Sequence, residues 1–166
     1  MKKTQIIILI VILAAIGLAI GFSKGGNSNQ TPSSEVAAVA NNSVIVVENS
    51  SFDFGDIDIF GGKVTSEYIL TNTGEHDVTV TSATTSCGCT EGEIGGESFG
   101  MHFGMSQAVT IPAGESMPVT AIYDPLAHGP DAVGPVTRML MLKTNSTATP
   151  NIEVRLTANV TKDKTN

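Results

Sequence analysis

Tryptophan is absent from this sequence of 166 residues, and tyrosine and cysteine occur twice each. So few large aromatics, beside plentiful glycine, threonine and valine, favour an all-β domain over a helical bundle, and the length allows one such domain with appendages. Positive charge is scarce as well. Lys2, Lys3 and Lys24 lie in the first segment, and from Val44 onward fifteen acids stand against six bases, a balance of −9. Such a surface repels phosphate backbones and has no basic patch, so no nucleic acid is expected as a partner, and a cation is the more natural ligand. No nucleophile elbow, phosphate loop or metalloprotease helix occurs, so no residue is expected to be catalytic and the chain is not expected to be an enzyme.

Lys2 and Lys3 precede an unbroken apolar run of seventeen residues, Ile6 to Phe22. As a helix this run is about 25 Å long, at the short limit for crossing a bilayer, and the lysines would keep its start cytoplasmic. It exceeds the roughly 7 to 15 residues of a signal-peptide core, which favours an uncleaved single-pass anchor over residues 1–22. A cleaved signal peptide is the alternative, for which Ala19 and Gly21 loosely supply the small residues; no cysteine follows, which excludes a lipoprotein anchor. Either way the rest is expected on the extracytoplasmic side, at the cell membrane through the N-terminal helix or secreted after cleavage. Residues 23–43, rich in Ser, Asn, Gly, Gln, Thr and Pro, read as a flexible linker, and residues 44–166 as the domain.

From Val44 the pattern changes to period two. Val44 to Glu48, continued by Ser51 to Asp56, forms a first strand with Phe52 and Phe54 on one face. Val64–Thr71, Val78–Thr84, Gln107–Ile111, Met117–Tyr123, Val136–Lys143 and Ile152–Val160 follow, with turn residues between them. Seven short strands with regular turns predict a β-sandwich of the immunoglobulin type.

The segments FDFGDI, LTNTG, SCGCT, PAGES, IYDP and LKTN, then a last amphipathic strand, stand in that order. The series resembles a bacterial family, domain-of-unknown-function 1573, which is immunoglobulin-like and akin to the Hydin and ASPM/SPD-2 domains. The resemblance covers roughly Val44 to Val160 and implies the fold and an extracytoplasmic setting; the family carries no established activity. The chain departs from the plain family pattern by a loop rich in Gly, Phe, Met and His inserted after SCGCT, and its particular function is to be sought there.

That region carries both cysteines, Cys87 and Cys89, followed by Met101, His102 and Met105. Thiolate, thioether and imidazole are soft donors that select Cu(I), zinc or iron–sulfur. Each connection of an antiparallel sandwich reverses the chain. All five residues fall between the third and fourth predicted strands, and His128 between the fifth and sixth, so the six belong to one end. His76 and Met117 belong to the other end and are excluded as ligands. On the sixth strand Val136, Leu140 and Leu142 share one face, leaving Met139 and Met141 on a face with Thr137 and Lys143. The inserted loop, whose Phe99 and Phe103 need burial, would cover those methionines, either as ligands or as filler.

Taken singly, His102 and His128 read as surface histidines, and Met101 and Met105 as loop hydrophobes. A disulfide between Cys87 and Cys89 would close a ring across one residue and needs a strained backbone even with Gly88, so a metal-binding or redox-active pair suits the spacing better. Two thiolates with two imidazoles would satisfy zinc, while the added thioethers argue for copper(I). The leading expectation is therefore a membrane-tethered copper(I) chaperone or scavenger holding metal through Cys87, Cys89, Met101, His102, Met105 and His128, and passing it to another exported metalloprotein. The alternative is a non-catalytic interaction module. A thiol oxidoreductase ranks third, because the charges expected nearby, Glu91, Glu93 and Glu97, would keep a proton on a thiol.

Overall fold

The computed structural model describes residues 40–162, and the N-terminal apolar run and the linker to residue 39 lie outside them. Among the described residues there is no helix long and apolar enough to cross a membrane. The described chain forms ten strands: β1 (Ile45–Val47), β2 (Ser51–Asp58), β3 (Val64–Asn72), β4 (Val78–Thr85), β5 (Thr90–Ile94), β6 (Glu97–Gly100), β7 (Val109–Ile111), β8 (Ser116–Tyr123), β9 (Gly134–Thr144) and β10 (Asn151–Thr161). They make two five-stranded sheets, ordered β1-β3-β8-β5-β6 and β2-β10-β9-β4-β7. Every pairing is antiparallel except that of β2 with β10.

The alternation read from the sequence is what fills the space between the sheets. On β10, Ile152, Val154, Leu156, Ala158 and Val160 are buried while Asn151, Glu153 and Arg155 face water. Tyr68 and Leu70 of β3, Val119, Ala121 and Tyr123 of β8, and Leu140 and Leu142 of β9 complete the core. Each large aliphatic among them contributes about 1.5–3 kcal/mol by leaving water. The Tyr68 hydroxyl donates to Arg155 O at 2.7 Å, and burial raises its pKa. Phe52 and Phe54 share a face as expected, with ring centroids 4.8 Å apart.

Two features correct the seven-strand expectation. The first predicted strand is two, β1 and β2, in different sheets, because the chain crosses between layers at residues 48–50. The glycine-rich stretch after SCGCT is largely a hairpin, β5–β6, added beside β8. Its turn is Gly95-Gly96, both at positive φ (56° and 85°), the conformation that a two-residue hairpin connection needs. Phe99 is fully buried across from Gly92, where a β-carbon would collide with its ring, so the missing side chain of one strand makes room for the aromatic of the other.

Candidate functional site

The site begins with a turn. After β4, Thr90 N donates to Cys87 O at 3.1 Å, which folds Cys87–Thr90 back on itself. The buried Thr85 hydroxyl lies 3.0 Å from Cys87 O and 2.9 Å from Thr90 O and clamps the turn from below. Ser86 exchanges two hydrogen bonds with Met139 of β9, and Asp124 N donates to Cys89 O. Tied on both flanks, the turn brings the Cα atoms of Cys87 and Cys89 to 5.2 Å, and their sulfurs are joined in a disulfide. That distance lies inside the ordinary bridging range. The turn, with no positive φ at Gly88, supplies the proximity that the sequence reading assigned to strain.

Two cationic or basic groups address the two sulfurs separately. His128, exposed on the loop from 124 to 133, places Nε2 3.2 Å from Cys87 Sγ. Arg138 of β9 donates from Nε to Cys89 Sγ at 2.9 Å. The Cys87, Cys89 and His128 donor atoms all lie within 4.8 Å of one another. Cys87 is half-buried and Cys89 buried, so the bridge presents one sulfur outward and keeps the other against the core. The ion pairs among the described residues are Arg155–Glu153 and Lys162–Asp131, so the Arg138 charge faces sulfur and the ring of Tyr123, whose centroid lies 5.6 Å from the guanidinium carbon. Burial raises the pKa of Tyr123 against the opposing pull of Arg138.

The remaining predicted donors sort by position. The ring of His102 lies over Gly88, near enough that a β-carbon there would stand 3.3 Å from His102 Nε2. Met101 is exposed and lines an open cleft with Ala83, Thr84, His102 and Phe103. Met105 packs half-buried on the core. One residue on, Ser106 is bonded to Glu97, three residues down β6 from Gly100, which is about 10 Å along the strand. Met139 and Met141 are half-buried, Phe103 stays half-exposed, and Phe99 is covered within its own hairpin. His76 sits at the opposite end, its N–H donating to Ser43 Oγ, and Met117 faces Gly95 at the far end of the β5–β6 hairpin.

Arg138 was missed from the sequence, although a signal was present: it falls on the inward face shared by Val136, Leu140 and Leu142, where a cation needs a partner. The glutamates are less important than expected. Glu97 Oε2 accepts from Ser106 Oγ, Ser106 N and Gln107 N, which lowers its pKa, and so its charge is engaged in holding the loop. Glu91 borders a small hollow beside Cys89 together with Lys63 and Asp124.

No curated protein matches the sequence. A protein of unknown function from Porphyromonas gingivalis W83 is similar in structure, with TM-score 0.57 at 15% identity over 73% of this chain and 48% of its own length. The chain thus spans about half of that protein, and the likeness at this identity establishes the fold. Weaker similarities run to the E. coli chaperone DraB (TM-score 0.47, 8% identity, 75% of this chain and 58% of that one). They extend to the ASH/PapD-like domain of human CEP192 (TM-score 0.45, 13% identity, 72% and 87%). The family model described as protein of unknown function DUF1573 matches residues 45–160, most of the chain and all ten strands but the last residue of β10, and the protein belongs to that family.

Proposed function

We propose that this domain is an extracytoplasmic protein-interaction module, tethered by its N-terminal segment, whose docking end carries a redox-active disulfide. The observation that carries the reading is the unequal treatment of the two sulfurs: His128 Nε2 beside the outward Cys87, and the Arg138 guanidinium on the inward Cys89. A disulfide is opened by a thiolate that attacks one sulfur and expels the other, and the reaction is faster when the expelled sulfur is stabilised as an anion. The exchange runs as follows for a partner bearing two thiols. His128 takes the proton of the first thiol, and its sulfur attacks Cys87 Sγ. The Cys87–Cys89 bond breaks, and Cys89 leaves as a thiolate held by Arg138 Nε–H. The partner's second thiolate, its proton lost to solvent, then displaces Cys87, which recovers a proton from His128. The partner has lost two electrons and this domain has gained them.

The surroundings fit a polypeptide partner. Phe60, Met101, Phe103, Leu126 and Val133 are exposed on three loops at this end. Exposed apolar side chains gathered in one place mark contact surfaces, whereas scattered ones do not.

The test is a redox titration of the full chain against mixtures of reduced and oxidised glutathione, with free thiols counted by alkylation and mass. One two-electron transition is expected. Arg138→Gln removes the charge that stabilises the reduced form and moves the midpoint about 30 mV more negative, about tenfold in the equilibrium constant. A bridge that stays closed throughout, or a midpoint indifferent to Arg138, overturns the reading.

A further inference from the structure

We infer that the same end, once reduced, is a binding site for a single copper(I) ion, built from Cys87 Sγ, Cys89 Sγ and His128 Nε2, with Arg138 as its charge partner. This rests on the exchange reading only in that the bridge must open on reduction.

The geometry sets the scale. Metal–sulfur bonds of about 2.3 Å and metal–nitrogen bonds of about 2.0 Å let one ion span donor atoms separated by about 4 to 4.5 Å. The three donor atoms lie within 4.8 Å of one another on side chains held by a turn and a loop, with His128 Nε2 3.2 Å from Cys87 Sγ. The two sulfurs are bonded in the closed bridge, so reduction must let them part by about 2 Å, within reach of side-chain rotation, before one ion fits between them. The donors, two thiolates and an imidazole, are soft, which narrows the ion to copper(I) or zinc.

Charge separates these two. Copper(I) with two thiolates and a neutral imidazole carries −1, and three donors complete a low coordination number. Zinc with the same donors is neutral and still lacks the fourth ligand of a closed tetrahedral site. The guanidinium at Cys89 Sγ, engaged in none of the ion pairs among the described residues, complements the anionic copper unit. The same cation would sit uncompensated beside a neutral zinc unit. Burial of Cys89 strengthens this discrimination, because opposite charges attract more strongly where water is excluded. His102, whose ring lies over Gly88, and the neighbouring Met101 are both exposed and add further soft donors close to the turn.

The electron count closes without redox change at the metal. A thiol reductant delivers two electrons and two protons to the bridge; copper(I) then displaces the thiol protons. Loss of two electrons from Cys87 and Cys89 to a partner disulfide re-forms the bridge and expels copper still as copper(I). Binding and release are thereby set by the redox state of the pair.

The experiment uses the full chain in detergent, reduced and freed of reductant anaerobically, with thiols counted before addition of copper(I) in the presence of bicinchoninate. Two thiols per chain and one copper withheld from the chelator are expected, with none withheld by the same chain when its bridge is closed. X-ray absorption should report two sulfur neighbours and one nitrogen. His128→Ala weakens binding about tenfold, Arg138→Gln weakens it at unchanged stoichiometry, and His76→Ala leaves it as in the parent. The oxidised parent chain serves as the control that no folding defect can mimic. Two counted thiols with all copper left on the chelator overturn the metal site and spare the exchange reading. Fewer than two thiols under strong reductant overturn both, and preferential retention of zinc in competition overturns the assignment of the ion.

Discussion

The two ends of this sandwich are built from the same kinds of strand and turn, yet they are finished in opposite ways. At one end Asn72 is fully buried, donating from Nδ2 to His76 O and Ile111 O and accepting from Gly74 N, while buried Ser43 and Ser146 join the adjoining turns. No buried side-chain N or O atom among the described residues is left without a partner. At the other end a disulfide lies between a histidine and an arginine, and five of the eight large exposed hydrophobics among the described residues sit on the surrounding loops. The first end satisfies itself and serves stability. The second leaves apolar surface and reactive groups facing outward, which is why the proposed docking is assigned to it.

The contrast is open to direct attack. The largest effect is expected at the polar end: Asn72→Ala leaves the buried Ile111 carbonyl without its donor, removes the half-buried bonds to His76 O and Gly74 N, and should cost about 3 kcal/mol in urea unfolding, with the redox midpoint of the other end unmoved. A midpoint that shifts with it would mean that the ends are not independent. Next comes the hairpin beside the site, where Gly92→Ala pushes a β-carbon into the buried Phe99 ring and should lose about 1–3 kcal/mol. The paired change Phe60→Ser and Phe103→Ser should do the reverse, altering stability by no more than about 0.5 kcal/mol. It should also reduce several-fold the mixed disulfide formed when Cys89→Ser leaves Cys87 as the only thiol and that thiol attacks an apolar peptide whose cysteine is carried as a thiopyridyl disulfide, thiopyridone being the leaving group. Equal capture with and without the two phenylalanines would remove the rim as a docking surface.

The smallest effect is a pH dependence at Glu97. Its pKa is lowered by the Ser106 hydroxyl and by the backbone N–H groups of Gln107 and Ser106. A carboxyl lowered on folding stabilises the fold above its ordinary pKa and loses that contribution as pH falls through the lowered value. Hydrogen-exchange protection of the Ser106 and Gln107 amides should therefore fall on acidification ahead of that of β10, and Glu97→Gln should weaken it already at neutral pH.

Much of the site could be read before the fold was known. Placing His128 with the cysteines needed only the reversal of direction at each turn, and that reasoning survived two overlooked strands because an inserted hairpin adds an even number of reversals. The hairpin itself was hidden by its own residues: Gly92 stands where an inward hydrophobe marks a strand, and its space is filled by Phe99 from the next strand. Gly95-Gly96 between TEGEI and ESFG was the available sign.

Alternating hydrophobicity along the chain, which local sequence controls, determined a two-layer β fold and brought Cys87, Cys89 and His128 to one end. Tertiary structure alone decided the rest. Closure of the bridge depends on a turn held by Ser86 against β9 and by Cys89 against Asp124, and the pairing of Arg138 with Cys89 joins residues 49 positions apart. The physical reason is that spacing in sequence limits reach, whereas the distance between two side chains, and hence their chemistry, is settled by the strands packed between them.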